Sequence, residues 1–472
     1  MFRRSANRRQ FLKAMGLGAS AALLAACQPP ASPSAAVPTT VAAAAPATRS
    51  EWVSGKVPAD LSATFKYTSW ENEAEMRKWL LHFKNFFGEN YPNVKVEGDW
   101  GIPWSDYWTK MPTQLAAGAV IDMMWMHDSR CKTFAANEWL LPLDDYINAF
   151  MPIGWPDEYY PSQVKAFQYQ GKQYGFPYDF ASGGFYVNLD LFEKAGIPLP
   201  TENTTWTEFL DIAKALTVVE NGKTKQWGVG GLPTSWSGGA YFVVKTFGGD
   251  YWNAAITKSM FNDKHTIAAF QFLADLIWKH KVMPNSDMLT GLGVTGGSAG
   301  IAFSSGLTAM HYSLNDEAFS LQETIAGKFK WGFAPTPKGD GGQYYFTGGS
   351  AFSIPYTSTQ PDLAYELLRY TLSNPEALKV SGKMGSQFTG NMNYYEFGLP
   401  LPEWGVDREA FKKTFYELPR QYGIAPAYHP KYLEWEASIY QTYLDTLWTG
   451  EERDAAIACA KVDKATNALL AG

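Results

Sequence analysis

The sequence predicts an α/β protein of two lobes, with parallel sheets flanked by helices, and three observations carry that prediction. Segments with strand character alternate with segments of helical period, the pattern of βαβ units with right-handed crossovers. The part beyond the N-terminal leader holds about 440 residues, too many for one simple core and suited to two. Hydrophobic residues make up 46% of the chain and aromatic residues 15%, enough to bury several layers.

The elements follow in order. ATFKYTSW (63–70) alternates and is rich in β-branched and aromatic residues, so it reads as a first strand. NEAEMRKWLLHFKNFFGENYP (72–92) has a helical period and ends in Gly, Asn and Pro, which stop a helix. NVKVEGDW (93–100) is a second strand, WSDYWTKMPTQLAAGA (104–119) a second helix, and VIDMMWM (120–126) an almost wholly apolar third strand. NEWLLPLDDYI (137–147) supplies a turn and a cover helix. Ligands of such sheets bind beyond the carboxyl ends of the strands. Attention therefore falls on Trp70 and Glu71, on Asp99 and Trp100, and on His127 and Asp128.

The stretch from 169 to 217 is the most diagnostic. It contains Gly171-Lys172, Tyr174-Gly175, Pro177, Tyr186 and Asn188, then Leu191 to Ile197 with Pro198, then Thr205-Trp206 and Glu208-Phe209. Further on come GLTAMHYS (306–313), KWGFAPTPKGDGGQYYFTGGSAFSIP (330–355) and DLAYELLRYTLSNPEA (362–377). In this order these motifs resemble the family 1 extracellular solute-binding proteins, the sugar-type receptors of ATP-driven importers, from about Thr64 to about Leu378. The resemblance implies a type II periplasmic-binding-protein fold with the ligand cleft between the lobes. It places 61–180 plus 311–347 in lobe 1 and 184–305 plus 352–472 in lobe 2, with hinges near 177–183, 306–310 and 348–351. It also implies a monomer that captures a mono- or oligosaccharide, delivers it to the permease subunits of an ABC importer, and needs neither catalysis nor a cofactor.

A sugar offers apolar C–H faces and polar edges, so its site needs flat rings beside hydrogen-bonding groups. Trp125, His127 and Asp128 are similar to a W-x-H-D tract of maltodextrin-type members, where the Trp stacks and the Asp bonds hydroxyls. An aromatic in an apolar strand can equally pack in the core, so Trp125 carries both readings. Trp70 and Glu71 occupy the equivalent loop after the first strand. Tyr178 and Asp179 sit at the first hinge, Trp236 lies in a loop before a helix, and Gly348, Gly349 and Ser350 offer backbone N–H donors. The family often places a glycine and a tryptophan after its "AM"; here HYSLNDEAF follows instead. That departure leaves Tyr312, Asn315 or Asp316 to fill the position, with Tyr428 and Trp435 as further candidates.

Other functions fit less well. The formal charge of -6 argues against nucleic acid, whose binders cluster Lys and Arg. The six histidines show no metal-ligand spacing, so no metal site is expected. Beyond Cys27 only Cys131 and Cys459 remain, as two buried thiols or one disulfide. A glycan hydrolase is the enzymatic alternative, and it needs carboxylates about 5–5.5 or 6.5–9.5 Å apart. The pairs Asp144/Asp145 and Glu434/Glu436 fall on a cover helix and a surface run rather than at strand ends. The same fold could also take a polyol, a glycerol phosphodiester or a peptide-like solute. A phosphate would call for clustered basic groups, and Arg130 alone lies at a strand end. GLGVTG (291–296) and GGSAG (296–300) satisfy a dinucleotide and a nucleophile-elbow pattern by glycine content, without the preceding strand that either requires.

The N-terminus reads as an address. Ala14 to Ala26 is too short to span a bilayer, which takes about 20 apolar residues. Arg3, Arg4, Arg8, Arg9 and Lys13 precede it with no acidic residue, the layout of a removable export signal over 1–26. NRRQFLK resembles the twin-arginine motif through Arg8 and Arg9, and LAAC resembles a lipobox whose Cys27 becomes the acylated N-terminus. Residues 27–60, rich in Ala and Pro at their start, read as a disordered tether, and its Ala/Pro stretch of about 23 residues after Cys27 has a mean reach of roughly 25–30 Å. Together these segments predict an exported, membrane-anchored lipoprotein at the cell surface or in the periplasm.

Overall fold

The computed structural model describes residues 52–71, 73–232, 236–378, 389–400 and 402–471. The chain divides into the compact units Met1–Thr48 and Arg49–Gly472, and the first lies outside the described residues. So do the expected leader with Arg8 and Arg9, Cys27, and the tether as far as Glu51.

The second unit contains two principal sheets. The first has the order β2-β1-β3-β13-β6, formed by β1 (Thr64–Thr68), β2 (Lys95–Asp99), β3 (Met123–His127), β6 (Phe176–Pro177) and β13 (Ser350–Ser353). β1 runs parallel to β2 and β3, whereas β13 is antiparallel to β3 and β6. Helices α1 (Glu73–Asn90), α2 (Trp104–Ala116) and α3 (Asp128–Ala136) connect and cover it. The apolar run of β3 follows from its two-sided burial. Met123 and Trp125 join the core containing Trp79 and Phe83 of α1, while Met124 and Met126 join the core containing Tyr107 and Met111 of α2.

The second sheet has the order β14-β12-β7-β10-β9-β8, with β11 also paired to β7. Its strands are β7 (Ala181–Asn188), β8 (Val218–Glu220), β9 (Lys223–Gly230), β10 (Thr308–Leu314), β11 (Trp331–Ala334), β12 (Tyr345–Gly348) and β14 (Gly423–Ile424). A separate two-stranded ribbon joins β4 (Gln168–Tyr169) to β5 (Lys172–Gln173). β7 and β10 are antiparallel, and the Tyr312 side chain crosses Gly183 so closely that a Cβ there would lie 1.9 Å from its hydroxyl. The motifs after β7 are fold devices. Gly196 takes φ 65° to end the helix Leu189–Ala195. Thr205 and Glu208 form a reciprocal capping box that starts the helix Trp206–Ala215.

The lobe boundaries differ from those expected. Residues 311–347 belong to the second sheet, because β10 pairs with β7 and β9, and β11 and β12 pair with β7. Conversely, β13 inserts between β3 and β6, and the helix Pro361–Ser373 supplies Leu363 and Leu367 to the core of α1. Sequence spacing orders the strands but does not assign them to a sheet. The chain passes between the sheets at 177–181 and 348–350, and the expected hinge at 306–310 is instead the entry to β10. A third passage runs near 389–392, where Thr389 bridges Asp179 and Asn391 bridges Tyr159.

The tether is shorter than expected at its carboxyl end. Val57 is buried in the first lobe, Trp52 packs edge-on against Tyr370 at 5.9 Å, and the Ser54 amide donates to Glu366 at 2.8 Å. A Trp and two Val give residues 52–57 enough apolar bulk to dock. Cys131 and Cys459 are both free and buried, one in each lobe.

Candidate ligand site between the lobes

Parallel pairing of β1, β2 and β3 brings their carboxyl ends to one edge of the first sheet. Trp70, after β1, lies 5.0 Å from Trp104 and 5.4 Å from Trp108, ring to ring. Trp104 opens α2, is 41% exposed, and stands edge-on to His127 at 5.1 Å. The result is an aromatic ledge with one face in solvent.

Beside it, β3 ends in His127 and Asp128. Asp128 has no exposed surface, and neither carboxylate oxygen has a hydrogen-bond partner. His127 Nδ1 lies 2.9 Å from Oδ1 without hydrogen-bonding geometry; the same nitrogen lies 2.8 Å from Ser129 Oγ. A buried carboxylate lacking donors is costly unless something supplies them. Oδ2 faces Gly348, whose Cβ would lie 3.3 Å away. Gln163, also fully buried, has an unpartnered amide, with Oε1 3.0 Å from where a Gly349 Cβ would stand.

The strands between the lobes form the floor. Tyr178 stacks on Phe352 at 4.5 Å, and its hydroxyl donates to Glu71 at 3.4 Å. The Ser350 amide donates to Asp179 Oδ1, and the Tyr178 amide donates to Ser350 O at 3.0 Å, lacing the two passages together. Burial pushes the Asp179 carboxyl well above the usual carboxylate range; the Ser350 bond opposes this, and the charges of Glu71, Asp128 and Asp316 reinforce it.

The second lobe closes the far side. Trp236, 37% exposed, stands edge-on to Phe346 at 4.6 Å. Behind it Ser237 and Tyr432 donate to Glu436 Oε1. Glu436 Oε2 lies 3.7 Å from Arg130 of the first lobe, whose Nε and Nη1 are buried without partners. Thr133 donates to Pro430 O at 2.7 Å, and Thr347 donates to Ser162 at 2.9 Å, so the lobes already touch.

Of the residues expected at the site, the structure brings together Trp70, Glu71, Asp128, Tyr178, Asp179, Trp236, Gly348, Gly349 and Ser350. Three fall elsewhere. Trp125 is fully buried, with Phe352 at 4.7 Å, because its position in the alternation of β3 points it at α1. Tyr312 is buried against Phe242, stacked at 4.9 Å. Asn315 spends its side chain on the hinge, accepting from the Ser182 amide at 3.2 Å and donating to Phe180 O at 3.2 Å. Of the further candidates, Trp435 is core, bonding Thr466 at 2.8 Å, and Tyr428 is buried beside Tyr432.

Trp104, Gln163 and the Arg130–Glu436 pair complete the site without having been singled out as ligand contacts. Trp104 was within reach of the strand-end rule, since it follows β2 by five residues. Glu436, expected on a surface run, is 13% exposed at its side chain. The two glycine motifs lie in the second lobe, where the helix Ser286–Gly291, rather than a strand, precedes them. Among the described residues no group of His, Cys, Asp or Glu is arranged to hold a metal ion.

Residues 69–377 match the profile of bacterial extracellular solute-binding proteins. The chain belongs to that family. The fold agrees with solved relatives. An ABC substrate-binding protein of Listeria monocytogenes, in complex with cycloalternan, superposes with TM-score 0.73 at 22% identity, covering 87% of this chain and 99% of that one. Maltose-bound MalE3 of T. maritima gives 0.67 at 21% identity, covering 86% and 100%. A binding protein of Brucella abortus (strain 2308) is 29% identical over 154 residues, 30% of this chain. The chain spans about a third of that relative's length, 34%. The architecture is therefore the two-lobe type II periplasmic-binding fold of an extracellular solute-binding protein.

Proposed function

We propose that this solute-binding protein captures a carbohydrate between its lobes and delivers it to the permease of an ABC importer. The observation that carries this reading is Asp128, fully buried at the end of β3 with both oxygens unbonded, next in sequence to His127, which packs against the exposed Trp104 ring, with Trp236 as a second exposed ring on the other lobe. Hydroxyls meet the carboxylate and the Gln163 amide, and the apolar faces of the sugar ring meet the indoles. The bound cycloalternan and maltose of the fold relatives support the same class of ligand. Closure rests on contacts made to both lobes at once, with Gly348, Gly349 and the Tyr178–Phe180 segment as hinges and Arg130–Glu436 meeting across the gap.

The reading extends to the N-terminus. Arg8 and Arg9 direct twin-arginine export, Cys27 carries the lipid, and the Ala/Pro segment tethers a monomer beside its permease at the cell surface or in the periplasm. No step makes or breaks a bond. Thermal shift and tryptophan fluorescence against a panel of mono- and oligosaccharides test the proposal. A sugar that raises the melting temperature and changes the emission is the expected result. A panel without any response, or turnover of a polysaccharide, refutes it.

A further inference from the structure

The contact between the lobes carries a titratable ring. Thr133 of α3 donates to Pro430 O, and Pro430 lies between His429 and Lys431 in the turn that opens the helix Tyr432–Trp435. α3 belongs to the first lobe through Cys131 and Phe134. The turn belongs to the second through Tyr428 and Tyr432. The His429 ring shapes this turn: its Nδ1 accepts the Lys431 amide at 3.0 Å, while the His429 carbonyl accepts the Tyr432 amide at 2.8 Å. A ring nitrogen that accepts a hydrogen bond carries no proton, so the turn requires the neutral imidazole.

The surrounding charge favours the same form. Burial lowers the His429 pKa below its ordinary value, and the charges of Lys431, on the turn, and Lys132, on α3, lower it further. Lys431 Nζ donates to Leu469 O at 3.1 Å, on the helix Ala455–Ala471. Lys132 is flanked in turn by Cys131, Lys165 and Asp128, and Asp128, Tyr432, Glu436 and Arg130 act on the adjacent Tyr428. A proton on Nδ1 removes the acceptor of the Lys431 amide. It also sets a cation beside two ammonium groups, one from each lobe.

We infer that His429 is an acid-sensitive switch on lobe closure: neutral, it holds the turn against α3; protonated, it releases Pro430 from Thr133 and parts the lobes. The inference does not depend on the class of ligand. Its sign follows from linkage. A histidine whose pKa is lower in the closed form supports closure above the ordinary value of about 6.5, and that support is lost as pH falls through the closed-form value.

Small-angle X-ray scattering of the ligand-free protein between pH 7.5 and 5 tests it, beside NMR of the histidine ring nitrogens. The radius of gyration should rise as pH falls, in step with the titration of His429, whose ring should carry its proton on Nε2 at pH 7.5. His429→Asn supplies a neutral acceptor in place of Nδ1, so it should keep the radius found at pH 7.5 and lose the expansion in acid. Lys132→Gln removes the charge on α3 and leaves the turn intact, so the midpoint of the expansion should move to higher pH. A constant radius in the wild type, an expansion unchanged in His429→Asn, or one accompanied by loss of the far-ultraviolet circular dichroism signal overturns the switch. Where His429→Asn does not fold, an unmoved midpoint in Lys132→Gln overturns it.

Discussion

Replacing Asp128 by asparagine separates what the carboxylate does for a ligand from what it costs the fold. The side chain has no exposed surface, neither oxygen accepts a hydrogen bond, and its backbone amide is committed to Gly349 O at 3.1 Å. A buried polar group without partners costs about 1–3 kcal/mol, and more when charged. Asparagine keeps the size and loses the charge, so Asp128→Asn should stabilise the ligand-free protein by about 1 kcal/mol or more. Taking a lobe of about 200 residues as the melting unit, that is about 2–4 °C. Binding should move the other way. A hydrogen bond to a charged acceptor contributes about 1.5–3 kcal/mol, so its loss should weaken binding about 10- to 150-fold. Differential scanning fluorimetry without ligand, and titration calorimetry with the sugar that binds, read the two effects separately. The opposite signs are the signature, because a carboxylate retained for packing alone would lower the melting temperature when replaced and leave the affinity unchanged. A lower melting temperature with unchanged affinity would refute the reasoning.

Two further predictions follow from the placement of the indoles and of the hinge carboxylate. Trp104→Ala should leave the melting temperature nearly unchanged and weaken sugar binding about 2- to 12-fold, from an aromatic contact of about 0.5–1.5 kcal/mol; Trp125→Ala should cost about 3–5 kcal/mol of stability, and an exchange of these outcomes in denaturation and calorimetry would overturn the assignment of wall and core. The Asp179 carboxyl is raised, by burial first, so its stabilising contribution is complete below the ordinary value of about 3.9 and is lost as pH rises through the folded value. Asp179→Asn, which keeps the acceptor for the Ser350 amide, should therefore raise the melting temperature at neutral pH more than at pH 4, and equal shifts at both would refute the raised pKa.

The fold was legible where local chemistry and global topology agree. The alternation of β1 and the capping residues Thr205 and Glu208 specify their own geometry, and the motifs that carry the family resemblance are largely of this kind: a helix cap, a helix stop, a buried Trp206. They report the scaffold and say little about the ligand. The sheet assignment of 311–347 was not legible, because β10 and β13 are both short, largely buried strands of mixed composition. Only pairing with β7 in one case, and with β3 in the other, distinguishes them.

The site shows the same division within one strand. From Met123 to Met126 successive residues alternate between two cores, so Trp125 is committed to α1 by its place in that alternation. Asp128 lies past the last buried strand residue, where the chain turns into α3 and no pleat partner meets its side chain. Position relative to the strand end therefore separates wall from core more sharply than residue type does. By that criterion the W-x-H-D tract places its tryptophan in the fold and leaves only its aspartate to the proposed site. The exposed ring at the same sheet edge is Trp104, and the proposed stacking surface is placed there. A ring in the core sets the position of β3, and β3 sets the position of the carboxylate. Loss of Trp125 should consequently reach the ligand only through the fold, and loss of Trp104 should reach it directly.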